Sequence, residues 1–199
     1  MIEDARESVA LTDDEVVALA LGLGRAWPAS VPTVDLDDVD AVRAAGLRGE
    51  RSLFVRGLVD GDGGIDPALV PILELCGAEK RLTIVVIGAD LAPVPTAFVT
   101  VHYRFEEAWW LESISPVGVH EFVAADVAEH RAYVLGFLES FQSSPADAAE
   151  ESVLVASAAA AYLVGRTRIT EAALVGDELH VGNQTSIDLV ELMDLTFPA

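Results

Sequence analysis

Residues 50–67 read ERSLFVRGLVDGDGGIDP, and the sequence patterns on the two sides of this stretch differ. Its first half predicts a compact apolar helix that ends at Gly57, with Leu53, Phe54 and Leu58 packed inward. Arg51 and Arg56 are expected either to snorkel or to pair with nearby acids. The acidic, glycine-rich turn is followed by an Asp-Pro pair, which is typical of the start of another helix. Helical patterns precede the stretch and β-type patterns follow it, so we interpret it as the junction between two parts of the fold.

The whole pattern predicts an α+β fold. The hydrophobic fraction of 52% is well above that of a disordered chain, so we expect a packed core. We predict a single domain over 1–199, with a mainly helical part over 1–80 and an antiparallel sheet plus helices over 81–199. Residues 97–141 and 167–196 each read strand, strand, helix. This order predicts two quasi-repeated halves in one central antiparallel sheet with flanking helices.

Hydrophobic periodicity and capping residues place the individual elements. Thr12 is expected to cap the first helix and to form a capping box with Glu15. Further helices are predicted to Ala45 and over 125–141 and 146–163, and the last helix is expected to begin at Thr185 or Ser186. Strands are predicted over 82–87, 97–103, 109–115, 168–174 and 178–181, with a hairpin turn at Gly176-Asp177. Val119–Val123 fits either a fourth strand or the start of the long helix.

The residue types that bind metals form no known pattern here. His120 and His130 are ten residues apart, whereas a zinc-binding helix needs two histidines four apart. Cys76 is the single cysteine, which excludes an intrachain disulfide and every multi-cysteine metal site. We therefore predict no metal site, and we interpret these histidines, together with His102 and His180, as surface or half-buried polar positions.

Calcium-binding and catalytic patterns fail in the same way. Counting a calcium loop from Asp35 or from Asp60 puts no glycine at its sixth position and no acid at its twelfth. The chain has no Gly-x-Ser-x-Gly elbow, no phosphate-binding Gly-x-x-x-x-Gly-Lys and no dinucleotide fingerprint opening a helix. We predict that the protein is not an enzyme and has no catalytic residue and no cofactor.

The charge balance restricts the partners. The chain has 33 acidic and 12 basic residues and a formal net charge of -21, a field that repels phosphate backbones. Nucleic-acid binding is therefore disfavoured. No stretch approaches the ~20 apolar residues of a membrane span, and the N-terminus shows no secretory signal pattern, so we expect a cytoplasmic protein.

The order of elements resembles the EspG family, the secretion-associated proteins of actinobacterial type VII (ESX) systems. The likeness lies in residues 53–59 with the acidic turn after them, the short helix at Pro67, the antiparallel sheet, the closing strands around Gly176-Asp177 and a terminal helix through Leu189 and Leu192. It implies flanking helical bundles, quasi-twofold symmetry and a cytosolic chaperone that binds the helical tip of PE–PPE export substrates and keeps them soluble. It implies no catalytic residue, and no motif assigns partner-binding residues in this chain.

Two other functions stay open. One is a winged-helix-like regulatory protein whose first helices present Arg48, Arg51 and Arg56 to nucleic acid, which the charge of -21 disfavours. The other is an uncharacterised small-molecule-binding protein, a sensor or an enzyme, built on the sheet. Trp109-Trp110 on a strand should place one indole in the core and the other toward a helix or solvent. Alternatively, one of the two indoles is exposed and contacts a partner protein.

Overall fold

The computed structural model describes residues 8–94, 97–105, 108–144, 151–157, 160–175 and 178–197. Nine strands lie within these ranges: β1 (Val9–Thr12), β2 (Glu79–Ile87), β3 (Val99–Phe105), β4 (Ala108–Ile114), β5 (Val119–Ala125), β6 (Ser152–Ser157), β7 (Ala161–Val164), β8 (Ile169–Val175) and β9 (Glu178–Thr185). The helices are α1 (Asp13–Gly22), α2 (Val39–Val55), α3 (Val70–Glu74), α4 (Val127–Ser143) and α5 (Leu189–Thr196). Single 3-10 turns, Pro67–Leu69 and Leu75–Gly77, flank α3.

The strands form one nine-stranded sheet in the order β1-β5-β4-β3-β2-β6-β7-β8-β9. Antiparallel ladders join β1 to β5, β2 to β6, and β6 through β9 in succession. One helix, α4, follows β5 and another, α5, follows β9. Each has an aspartate N-cap, Asp126 for α4 and Asp188 for α5. The predicted α+β fold, with its antiparallel sheet, its flanking helices and its two similarly built halves, is confirmed.

The chain divides into two compact units. The first comprises the residues up to Glu79 together with Tyr103–Ala124, and the second comprises Lys80–His102 together with the residues from Ala125 on. The single domain expected over 1–199 stays a prediction. Within the described residues, none of the helices combines the length and the apolar composition that crossing a bilayer requires.

Each unit buries its own apolar side chains. The core of the first unit includes Leu11, Val16, Leu53, Leu69, Ile72, Leu75, Tyr103, Ile114 and Phe122. The core of the second includes Leu82, Ile84, Val134, Leu138, Val153, Val155, Val164, Leu192 and Met193. A further cluster in the second unit joins Val85, Ile87, Leu154 and Leu163. The sheet of the second unit therefore has apolar side chains on both faces, as the continuous β-branched run of β2 indicates.

The helix predicted over 146–163 is wrong, because the described part of this segment forms β6 and β7. Residues 146–150 and 158–159 lie outside the described residues. The register pairs Leu154 with Val85 of β2 and continues over six residue pairs. This long-range ladder outweighs the helical preference of the alanines, which is only a few tenths of a kcal/mol per residue over most other residue types.

Residues 39–55 form one continuous helix, whereas the sequence predicts two short helices. Leu53 is 3% exposed, as expected, but Phe54 is 58% exposed, so its predicted inward packing is wrong. Gly57 has a φ of 71° and follows the helix end, a left-handed conformation that glycine adopts without strain. The chain then forms a β-bridge between Val59 and Ile65.

Several local predictions are confirmed and others need correction. The capping box of Thr12 and Glu15 is present, and Val119–Val123 belongs to a strand. The last helix is capped by Asp188, not by Thr185 or Ser186, because its carboxylate reaches the backbone N–H of Glu191. β1 has no counterpart among the predicted strands. The predicted turn at Gly176-Asp177 lies outside the described residues.

Two glycines of α2 let its backbone approach α1 closely. A Cβ atom on Gly49 would lie 1.9 Å from the carbonyl oxygen of Asp14 and 2.9 Å from the Cβ of Ala18. A Cβ atom on Gly46 would lie 2.6 Å from Cδ1 of Leu21. Distances below 3.0 Å require a neighbouring group to move, and at Gly49 the nearest group is backbone. The spacing of α1 and α2 therefore depends on the absence of a side chain at Gly49.

We expect Gly49→Ala to lower the free energy of unfolding by about 3 kcal/mol, because the added methyl forces α1 away from α2. The matched control is Gly136→Ala in α4, where nothing lies within 4 Å of the added Cβ. That variant should gain about 0.5–1 kcal/mol, since alanine is the better helix former. Urea unfolding followed by circular dichroism measures both, and equal effects of the two variants would contradict the close approach.

Candidate functional site

An open apolar groove of about 690 Å³ lies between α1, α2 and the chain after α2. The α2 residues that line it recur every three or four positions from Val39 to Leu53, which places them on one helix face. At 1.5 Å per residue this stripe is roughly 21 Å long. The lining also includes Leu21 and Leu23 at the end of α1, Val59 and Ile65 in the bridge that follows α2, and Leu73 in α3.

Several groove side chains are exposed although they are large and apolar. Leu21 is 50% exposed, Val39 69% and Leu47 56%. Single exposed apolar residues are common on proteins, whereas a contiguous exposed apolar patch is a candidate interaction site. The groove is such a patch.

Polar contacts fix the two helices that form the groove. The Arg48 guanidinium donates to both carboxylate oxygens of Asp14, each at 2.7 Å. Glu15 is fully buried and accepts hydrogen bonds from the Ser52 hydroxyl at 2.7 Å and from the Arg56 guanidinium at 2.7 Å. The predicted pairing of an arginine with nearby acids is thus confirmed for Arg56. Burial alone would raise the pKa of Glu15, but hydrogen bonds from Ser52, the Thr12 backbone and Arg56 outweigh it and lower the pKa.

The acidic turn beside the groove is closed by hydrogen bonds to a single carboxylate. Asp60 Oδ1 accepts from the backbone N–H of Asp62 at 2.9 Å and of Gly64 at 2.7 Å. Gly63 has a φ of 81°, which only glycine adopts freely. This is the side-chain-to-backbone turn that aspartate favours. The Asp60 carboxylate thus holds the turn closed through its Oδ1 atom.

A buried polar network fastens the start of α1 to the sheet of the first unit. Both ring nitrogens of His120 lie 2.6 Å from a carboxylate oxygen, Nδ1 from Glu112 and Nε2 from Asp13. Glu112 also accepts from the Trp27 indole at 2.8 Å and from the Tyr103 hydroxyl. His120 and Glu112 are fully buried. Because carboxylates only accept, both nitrogens of His120 donate, so the side chain is an imidazolium held between two carboxylates.

The pKa values follow from these contacts. Burial alone would lower the pKa of His120, but its hydrogen bonds to Asp13 and Glu112 outweigh burial and raise it. Burial would raise the pKa of Asp13, but hydrogen bonds from His120 and Thr33 outweigh that effect and lower it. Burial, followed by the charge of Glu112, raises the pKa of Tyr103, so its hydroxyl stays protonated and can donate.

Asp13 reaches this network through a gap left by a glycine. A Cβ atom on Gly118 would lie 2.6 Å from the Asp13 carboxylate, and Gly118 has a φ of 74°. The second carboxylate oxygen of Asp13 accepts from the backbone N–H and the hydroxyl of Thr33, both at 2.6 Å. The network has no open position for a substrate or an ion, because both ring nitrogens of His120 and both carboxylates are engaged. These contacts hold the start of α1 against the sheet of the first unit.

A buried histidine pair lies in the second unit. Nδ1 of His102 and Nδ1 of His130 are 2.8 Å apart, so one nitrogen donates to the other. The rings of Tyr133 and Phe197 adjoin His102 at centroid distances of 6.5 and 5.7 Å. Burial, and secondly the neighbouring His130, lower the pKa of His102 to about 3, so this imidazole is neutral at neutral pH.

The interpretation of the histidines as surface or half-buried positions is wrong for three of the four. His102 and His120 are fully buried and His130 is 2% exposed, whereas His180 is exposed. Their polar partners lie far away in the sequence, 107 residues in the case of Asp13 and His120, so local spacing carries no signal for them. Among the described residues, no group of three or more His, Cys, Asp or Glu side chains could hold a metal ion.

The other candidate residues are the tryptophan pair, the cysteine and two arginines of α2 and its C-terminal end. Trp109 is 6% exposed and Trp110 is half-buried, which confirms the prediction that one indole enters the core. Cys76 is half-buried, and burial raises the pKa of its thiol. Arg48 and Arg56 are occupied by Asp14 and Glu15, which leaves them poorly placed to meet a phosphate backbone.

No protein-family model matches the chain, and no curated protein matches it significantly. We therefore infer the function from the geometry of the groove and of the buried polar networks. The groove residues Leu21, Val39 and Leu47 were not singled out by the sequence, since apolar residues at helical spacing are usually buried.

We expect His120→Gln to lower the free energy of unfolding by about 3–5 kcal/mol, because it leaves two buried carboxylates without their cation. Adding Glu112→Gln should restore part of this loss, since one uncompensated charge is removed. The control is Glu121→Gln at an exposed position of β5, with an expected change within about 0.5 kcal/mol. Chemical denaturation measures all three. A double variant less stable than His120→Gln alone would contradict an imidazolium between two carboxylates.

Proposed function

We propose that this protein is a non-catalytic chaperone or adaptor that binds an amphipathic helix of a protein partner in the groove between α1 and α2. The observation that carries this proposal is the apolar stripe from Val39 to Leu53 with Leu21 and Leu23 beside it. A groove lined by apolar residues at helical spacing fits the apolar face of a third helix, as in helix-in-groove recognition.

The length of the groove supports a helix as the occupant. The stripe of roughly 21 Å accommodates about four turns of a docked helix. Two neighbouring helices that are spaced closely by glycines can receive a third in the valley between them, with side chains of one helix filling the spaces of the others.

The EspG resemblance directs the finer part of the proposal. We propose that the partner is a helical export substrate of a type VII secretion system, which the protein keeps soluble in the cytoplasm before export. Exposed apolar helices aggregate in water, and covering their apolar face is what a dedicated chaperone does.

A small apolar ligand is the second candidate for the groove. Its volume of about 690 Å³ lies within the range of small-molecule sites. Native mass spectrometry of the purified protein would detect such a compound as an added mass. The compound should be lost when a charge is placed in the groove.

The test uses two surface variants as baits to capture partner proteins from the native host, and it compares how tightly they bind. Leu47→Glu places a charge in the groove at a position that is 56% exposed, and Val117→Glu places the same charge at a position that is 76% exposed and does not line the groove. We expect Leu47→Glu to weaken the binding of a helical secretion substrate at least thirty-fold, the effect of a strong interface residue. Val117→Glu should bind like the unaltered protein.

Hydrogen exchange on the captured complex provides the second readout. Slower exchange is expected at the end of α1 and along α2. A partner that Leu47→Glu retains as well as Val117→Glu does, or slower exchange confined to the second unit, would overturn the proposal.

A further inference from the structure

Acidic side chains border the apolar groove. Asp38 and Asp40 adjoin Val39 at one end of the stripe, and Asp62 adjoins Gly63 in the turn that forms part of the lining. Glu50 lies in the lining itself. All four of these residues are exposed, and the basic Arg43 lines the groove together with Glu50.

Only part of this negative charge is compensated. Arg43 pairs with Asp40 at 2.9 Å, and the Asp38 carboxylate accepts backbone N–H groups at the start of α2. By contrast, Glu50 and Asp62 form no ion pair among the residues that the structure describes. A partner that covers the groove brings these carboxylates into a less aqueous environment, where an unmatched charge is costly.

We infer that the partner is a basic amphipathic helix, with an apolar face that fills the groove and Lys or Arg side chains along its borders. This inference rests on the proposed function and adds the charge of the helix to it. Basic side chains would pair with Glu50 and Asp62, whereas an acidic helix would place like charges opposite them. The net charge of -21 acts in the same direction over a longer distance and accelerates the encounter with a cationic helix.

The charge also disfavours a second copy of this chain as the occupant. Two molecules of net charge -21 repel each other, and the α2 face that would be buried in such a dimer carries the same acidic border on both copies. A cationic segment of another protein satisfies both the apolar lining and the carboxylates.

The test uses three synthetic 18-residue helices that share one leucine-rich face and differ only at the flanking positions, which are lysine, glutamine or glutamate. Binding to the full chain is measured by fluorescence anisotropy at low and at high salt. We expect the lysine peptide to bind at least tenfold more tightly than the glutamine peptide, and the glutamate peptide to bind most weakly. The difference should shrink at high salt, because ions screen exposed charges.

Two variants of the protein show which residues cause the differences in peptide affinity. Glu50→Gln combined with Asp62→Asn should weaken the lysine peptide at least threefold and leave the glutamine peptide unchanged, because only the former uses these carboxylates. Leu47→Glu should weaken the glutamine peptide at least tenfold. A scrambled lysine peptide without an apolar face reports purely electrostatic attachment and should bind at least thirtyfold more weakly than the ordered one.

The possible outcomes distinguish failure of the inference from failure of the proposed function. Equal affinity for the lysine and glutamine peptides, with both lost in Leu47→Glu, would overturn the inference and leave the helix-binding function standing. Equal affinity for the scrambled and ordered lysine peptides would also overturn the inference, since the groove would then contribute nothing. Failure of all three ordered peptides to bind would overturn the proposed function itself. Dimerisation of the free protein that Leu47→Glu abolishes would assign the groove to a second copy and would likewise overturn the inference.

Discussion

The arrangement of the first unit depends on the contact between the backbones of α1 and α2. Gly49 lies against the carbonyl oxygen of Asp14 at a distance that a Cβ atom does not permit, and Gly46 lies against the end of the Leu21 side chain. Arg48 and Arg56 pair with Asp14 and Glu15 along the same contact. Because the contact at Gly49 fixes the spacing of the two helices, the side chains beyond it form the lining of an open groove.

Buried charged groups of the first unit also hold α1 in position. Asp13 is the first residue of α1, and its carboxylate is held by His120 and Thr33. Enclosing an imidazolium and two carboxylates costs solvation energy, which the hydrogen bonds from Trp27 and Tyr103 help to offset. A fully satisfied network of this kind accepts one arrangement of its members, so it fixes the orientation of α1 as well as its location.

Local signals predict the elements that local interactions determine. The Thr12 capping box, the β-branched run of β2 and the aspartate-rich start of α2 are all readable in the sequence. The alanine-rich segment over 146–163 misleads, because pairing with β2 overrides its propensity. The candidate site is less predictable still. The stripe on α2 has the spacing of an ordinary core face, and nothing in the sequence indicates that its outer part stays uncovered. The partners of His120 meet it only in the folded chain.

The most direct test of the account is a methyl NMR titration of the leucine- and valine-labelled protein with the lysine-flanked amphipathic peptide. We expect saturable shifts and intermolecular contacts for the methyl groups of Leu21, Val39 and Leu47, which line the groove, and unchanged signals for the buried Val134 and Leu138 of α4. Saturable contacts confined to the second unit, with the methyl groups of the groove unperturbed, would contradict it.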